Sequence, residues 1–226
     1  MVSGTNRILS EGVTVMAMHQ STHRGSGFHL PSSRRNGAVS VPGAADSVEA
    51  GALTARAFVF ASARVLMGFV FLWAFLDKTF GFGYAYATAS GKGWIDGGSP
   101  TEGFLGHVAV GPMESTFHSW AGAAWADWLF MLGLLGVGLA LTAGVALRPA
   151  AVAGTVMMAL MWAAEWPPAK HLSDGSASMS TNPFADYHVL YAVLLIALAA
   201  VSAGDALGLG RLWARLPIVR DHAWLR

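Results

Sequence analysis

Residues 128–147 read WLFMLGLLGVGLALTAGVAL, an unbroken run without a charge. At about 1.5 Å per residue it spans about 30 Å, the thickness of a bilayer's hydrocarbon core. Trp120, Trp125 and Asp127 precede it, the aromatic and polar collar expected where a helix leaves a membrane. The stretch predicts a transmembrane helix, and the same signal recurs on either side. Upstream, residues 57–76 (AFVFASARVLMGFVFLWAFL) are apolar except for Arg64. Downstream, Arg148-Pro149 predicts a turn with Pro at a first helical position, and 150–166 returns until Pro167-Pro168 stops it. Asn182 then suits a helix cap before Pro183, opening a fourth run over 184–203.

The expected fold class is all-α: an integral membrane four-helix bundle with spans at about 57–76, 128–147, 150–166 and 184–203. Residues 1–55 read as a disordered cytoplasmic tail, rich in Ser, Gly, Thr, His and Arg and without an apolar signal region. Met16 and Met18 are alternative starts. Residues 81–119 form an outer loop long enough to line a site, and 205–226 a basic amphipathic cytoplasmic tail. Gly136, Ala140 and Gly144 recur every four residues, a stripe that lets another helix approach closely.

Composition agrees. The chain has 226 residues, 54% hydrophobic and 12% charged, roughly half the charge of a soluble domain. The net charge of +1 gives no footprint for nucleic acid. Every Arg falls on the same side as the termini or in the membrane half nearest it, whereas the other side has only Lys78, Lys92 and Lys170. This bias predicts a multi-pass cell-membrane protein with both termini cytoplasmic. With no cysteine there is no disulfide, iron–sulfur cluster, covalent haem or thiol relay. Electron transfer would need a non-covalent carrier such as a quinone, or a partner subunit.

Candidate chemistry concentrates at one edge. Asp77-Lys78, Glu165, and Asp186 with His188 are delivered by separate helices to one expected layer. An imidazole and carboxylates beside an apolar slot suit coupled proton transfer to a quinone. His188, Asp186 and Glu165 are the candidate catalytic groups, with Trp162, Trp166 and Tyr191 as walls of the slot. The competing reading is of interface residues, with Asp186 favoured at a helix N-terminus and Glu165 paired in solvent with Lys170 or His171. Asp186 and His188, two apart, should diverge by about 200° on a helix. Arg64 either snorkels to headgroups or faces the bundle to bind a carboxylate or an anionic group. His107, His118, His171 and His188 share the outer side, but no pair of them has H-x-x-x-H spacing, so no metal site is expected, and no haem or dinucleotide motif is seen.

Four segments carry a resemblance over residues 56–226: Arg64-x3-Gly68-x2-Phe71 running to Asp77-Lys78; Gly93-Trp94-Ile95-Asp96-Gly97-Gly98-Ser99-Pro100; Asn182-Pro183-Phe184-x-Asp186-x-His188; and Gly208-Leu209-Gly210-Arg211. In their order and placement the chain resembles the DoxX/DoxD family of small four-helix membrane proteins. The resemblance implies a redox-associated membrane subunit. The DoxD branch is described as the large subunit of a thiosulfate dehydrogenase that passes electrons to quinone. On that reading Arg64, Asp77 and Lys78 join the substrate-binding candidates, quinone is the cofactor, and no haem, flavin or iron–sulfur cluster is expected. The partners are the bilayer, a subunit of a membrane redox complex and a second copy of the chain. The alternative is a non-catalytic structural or assembly subunit of a respiratory complex.

Overall fold

The charge-free stretch is helical from residue 128 to 143, within a helix that starts at Ala124, and its last four residues turn into the next helix instead of extending this one to 147. The computed structural model describes residues 43–84 and 91–226, and the expected tail over 1–42 lies outside them. In chain order the helices are α1 (Ala44–Phe80), α2 (Glu102–Leu105), α3 (Glu114–Trp120), α4 (Ala124–Ala143), α5 (Leu147–Glu165), α6 (Tyr187–Ala200), α7 (Gly210–Trp213) and α8 (Pro217–Asp221). No strand occurs among the described residues, only an isolated bridge between His171 and Ala177. Three helices are long and apolar enough to cross a membrane: Glu49–Phe80 within α1, α4 and α5.

Several expected boundaries move. α1 begins at Ala44, inside the segment expected to be a disordered tail. Between residues 44 and 56 the chain is rich in Ala with Glu49 and Leu53, strong helix formers that a search for apolar runs passes over. α5 starts at Leu147, so Arg148 and Pro149 sit in its first turn, and the turn itself is Gly144 to Ala146. α6 has only 14 residues, about 21 Å against a hydrocarbon core of about 30 Å. Its N-terminus lies at Tyr187 because Asp186, not Asn182, is the cap: the carboxylate accepts from the Val189 amide at 3.2 Å. Asn182 instead turns the preceding loop, accepting from Phe184 N and Ala185 N at 2.9 Å each.

Close contacts give the helix directions. Gly68 and Leu72 of α1 meet Thr142 and Gly138 of α4, Gly133 of α4 meets Met157 of α5, and Gly154 of α5 meets Leu195 of α6. With Val137 also against Gly154 and Tyr187 against Glu165, sequence numbers rise on one partner as they fall on the other, so each pair is antiparallel. These glycines seat the helices along their length; of the Gly136–Ala140–Gly144 stripe, a side chain added at Gly136 would meet open space, whereas one at Gly144 would stand 2.9 Å from Arg64 and Gly204. α4 packs on both α1 and α5, which draws its close-approach residues from two faces. The shared core joins Met67 and Phe71, Met131, Leu134 and Leu141, Met158, and Leu195 and Leu198. Outside it, Phe58, Leu66, Phe69, Leu129, Leu132, Val152, Val156, Leu190 and Ile196 are exposed. An apolar surface of this extent is solvated by lipid far more readily than by water.

Arg64 holds one end of the bundle. It is fully buried and donates to Thr142 O at 2.9 Å, Leu207 O at 2.8 Å, Ala203 O at 3.2 Å and also to Leu141 O. A helix C-terminus leaves carbonyls without intrahelical donors and carries partial negative charge, so a guanidinium with five donors satisfies it well. Arg64 therefore neither snorkels nor meets a carboxylate. Gly204 allows the chain to close around it: an added Cβ would stand 2.1 Å from Gly144 O. Gly204→Ala is expected to force the α4–α5 turn off this corner and lower stability by about 3 kcal/mol, at the upper end of overpacking costs. Thermal unfolding of the purified variant measures this.

The C-terminal segment, expected as a basic amphipathic tail, folds back over the same end. Arg148 N donates to Arg226 O at 2.8 Å, Arg148 Nη1 to Ala223 O at 2.8 Å, and Trp213 Nε1 to Leu225 O at 2.7 Å. Pro217 and the turns around Leu209 and Leu216 break the helix into short pieces.

At the opposite end, the loop joining α1 to α4 is tied to both. Asp127, 7% exposed, accepts from Ser99 Oγ at 2.9 Å, Thr101 N at 2.9 Å and Thr101 Oγ1 at 2.6 Å. Trp94 packs edge-on against Trp128 at 4.6 Å. Gly93 lets the Trp94–Asp96 turn lie against the end of α1, since a Cβ there would meet Thr79 O at 2.5 Å.

Candidate functional site

The end of α5 and the start of α6 bring Glu165, Asp186 and His188 together. His188 Nδ1 donates to Asp186 Oδ2 at 2.7 Å, and Glu165 Oε2 lies 4.0 Å from the same nitrogen. Tyr187 donates its hydroxyl to Glu165 Oε1 at 2.7 Å. The predicted divergence of Asp186 and His188 fails because Asp186 stands outside the helix, in extended conformation (φ −93°, ψ −173°), and reaches across its first turn. One carboxylate thus does two jobs, capping α6 with Oδ1 and orienting an imidazole with Oδ2.

Burial is graded across the group. The Glu165 side chain is 33% exposed, Asp186 15% and His188 0%. The two carboxylates and Tyr187 border a cleft of about 390 Å³, whose other wall is Phe104, His107, Val108 and Val110 from the α2–α3 region. The long loop thus supplies one wall of this cleft, whose lining mixes apolar and polar groups. The hairpin side of the cleft includes Leu172 and Ser178. Within that hairpin, hydrogen bonds from the Ser176 hydroxyl and amide hold the Asp174 carboxyl below its ordinary range.

A carboxylate that accepts from Nδ1–H selects the tautomer with an unprotonated Nε2. In His188 that Nε2 is buried and has no hydrogen-bond partner. Buried imidazole nitrogens are normally satisfied, so this atom is the singular feature of the site. One ring nitrogen is hydrogen-bonded to Asp186, which borders the cleft, and the other is buried in the bundle without a hydrogen-bond partner.

Other candidates fall elsewhere. Asp77 and Lys78 end α1 on the same side of the bundle, where Asp77 accepts from Tyr84 N at 3.0 Å. Arg64 lies at the far end, with the carbonyls of α4 and residues 203 and 207, and so joins no substrate group here. Trp162, Trp166 and Tyr191 do not line the cleft. Trp162 donates to Phe184 O at 2.9 Å and packs on Trp166 at 5.4 Å, and Tyr191 packs on Tyr187 at 5.9 Å. Glu165 forms no ion pair with Lys170 or His171 among the described residues; its partners are Tyr187 and His188.

Glu165, Asp186 and His188 also each present a ligating atom within 4.8 Å of the others, a set able to meet a divalent cation. A search for histidine pairs on one helix misses it because the ligands come from two helices and a cap. Sequence reading also missed Asp127 as the anchor of the outer loop; the Ser99-x-Thr101 donors opposite it carry no signature at that separation. No family model, curated protein sequence or solved structure matches the chain.

Proposed function

We propose that the protein is a DoxX/DoxD-like integral membrane subunit that handles a quinone at one edge of a four-helix bundle, taking electrons from a small anionic sulfur donor. The observation that carries this reading is the buried, partnerless Nε2 of His188, backed by Asp186 and opening through it to the cleft. α6 completes the bundle as a fourth crossing, its short helix extended by the non-helical residues at either end. The arginine bias puts both termini in the cytoplasm and the cleft on the outer face.

A quinone held at Nε2 would supply electron transfer coupled to proton transfer. The chain's own residues then have defined tasks. His188 donates or accepts a proton at Nε2 while Asp186 holds Nδ1 and stabilises the charged ring. Asp186 and Glu165 pass protons between Nδ1 and the cleft, with the Tyr187 hydroxyl fixing Glu165. Lys78 or Lys92, on the same side, would attract an anionic donor.

The test uses the full chain in nanodiscs with decylubiquinone as acceptor and thiosulfate as donor, following quinol formation. Wild-type protein is expected to turn over, and Asp186→Asn to slow it by roughly 10²-fold, the lower range for a group that supports acid–base transfer. No quinone reduction by wild type, together with a stoichiometric partner in mild-detergent pull-downs, would replace this reading with that of an accessory subunit.

A further inference from the structure

The end of the bundle closed by Arg64 carries a second site. A cavity of about 370 Å³ lies between the α4–α5 turn, the end of α6 and the folded-back C-terminal segment. Arg211, Arg215 and Arg226 line it against a single side-chain carboxylate, Asp205. Among the described residues none of the three arginines pairs with a carboxylate; the ion pair in this segment is Arg220 with Asp221. The Arg211 side chain is held by its Nε, which donates to Asp205 O at 3.0 Å, and the main chain at Arg215 and Arg226 by Arg215 N donating to Leu212 O at 3.1 Å and Arg148 N to Arg226 O at 2.8 Å. Three arginines thus line the space against one side-chain carboxylate, which leaves it a net positive charge.

Arg211 also borders a second, apolar groove on the flank of α1, formed by Leu53, Ala57, Phe58, Ala206 and Leu207. Leu53, Phe58 and Leu207 are exposed there, on a helix long and apolar enough to cross a membrane. One guanidinium therefore joins a cationic chamber to an apolar channel along a membrane helix.

We propose that this is a site for an anionic phospholipid, with the phosphate among Arg211, Arg215 and Arg226 and an acyl chain along the groove. Guanidinium forks match phosphate oxygens in geometry and charge, and basic pockets at helix ends take lipid headgroups. The groove separates lipid from soluble phosphate as the source, since a free anion would leave it empty.

The full chain in mild detergent is titrated with dioleoyl-phosphatidylglycerol and, separately, dioleoyl-phosphatidylcholine by native mass spectrometry. Preference for the anionic lipid is expected, falling about fivefold for each arginine replaced by Gln and roughly a hundredfold for all three. Arg211 also holds the Asp205 carbonyl, so Arg215→Gln/Arg226→Gln and, in the groove, Ala57→Trp serve as variants that leave that contact intact. Both are expected to weaken phosphatidylglycerol with little change in thermal midpoint. Equal retention of the two lipids, or variants that bind as wild type, would overturn the site. Displacement by millimolar inorganic phosphate, with Ala57→Trp silent, would assign the cavity to a soluble phosphate and overturn the lipid.

Discussion

His188→Ala is expected to lower quinone reduction by roughly 10²–10⁴-fold, the range lost with a positioned acid–base group, while leaving the fold in place. The two effects separate because of Asp186. Its Oδ1 contact with Val189 N caps α6 independently of the ring, so the helix keeps its N-terminus when the imidazole is removed. The imidazole makes one hydrogen bond, through Nδ1, and leaves Nε2 unsatisfied. A group that contributed only to stability would be expected to use both nitrogens in so buried a place. Quinol formation and the thermal midpoint measured on the same preparation distinguish the cases. A stable variant with wild-type turnover would remove His188 from the chemistry.

The second large effect is on stability. Arg64→Leu is expected to destabilise the bundle by on the order of 4 kcal/mol, because several buried carbonyls lose their donor at once and each costs about 1–3 kcal/mol. Leu141, Thr142, Ala203 and Leu207 come from α4 and from the chain after α6, so the loss falls on the joint between non-consecutive parts of the sequence. Arg64→Lys keeps a charge but not the planar fork, and is expected to recover less than half of the loss. Thermal unfolding in detergent followed by tryptophan fluorescence measures both. Retention of the wild-type midpoint by Arg64→Leu would mean that water satisfies those carbonyls.

Much of the helical plan was legible because it rests on long apolar runs, which residues 57–76 and 128–147 display without competition. The boundaries were not, since they depend on which polar residue wins a cap. Asn182-Pro183 offers the stronger local signal for a helix start, yet Asp186 sits where its carboxylate can serve both Val189 and His188. The candidate site was legible as a convergence of Glu165, Asp186 and His188 at one edge. Its wiring was hidden because it depends on Asp186 leaving the helix. Arg64 was visible as a costly intramembrane charge, but its partners are backbone carbonyls, which have no sequence signature. The long loop was legible as a segment able to line a site, whereas its anchor at Asp127 needed the folded chain to appear.

The most direct measurement is titration of ubiquinone into wild-type and His188→Ala protein in nanodiscs, followed by quenching of tryptophan fluorescence. Saturable binding by the wild type, weakened about tenfold or more in the variant, is the expected result, since one hydrogen bond to a charged or buried group contributes about 1.5–3 kcal/mol. Absence of saturable binding, or equal affinity in the two proteins, would contradict a quinone site at His188.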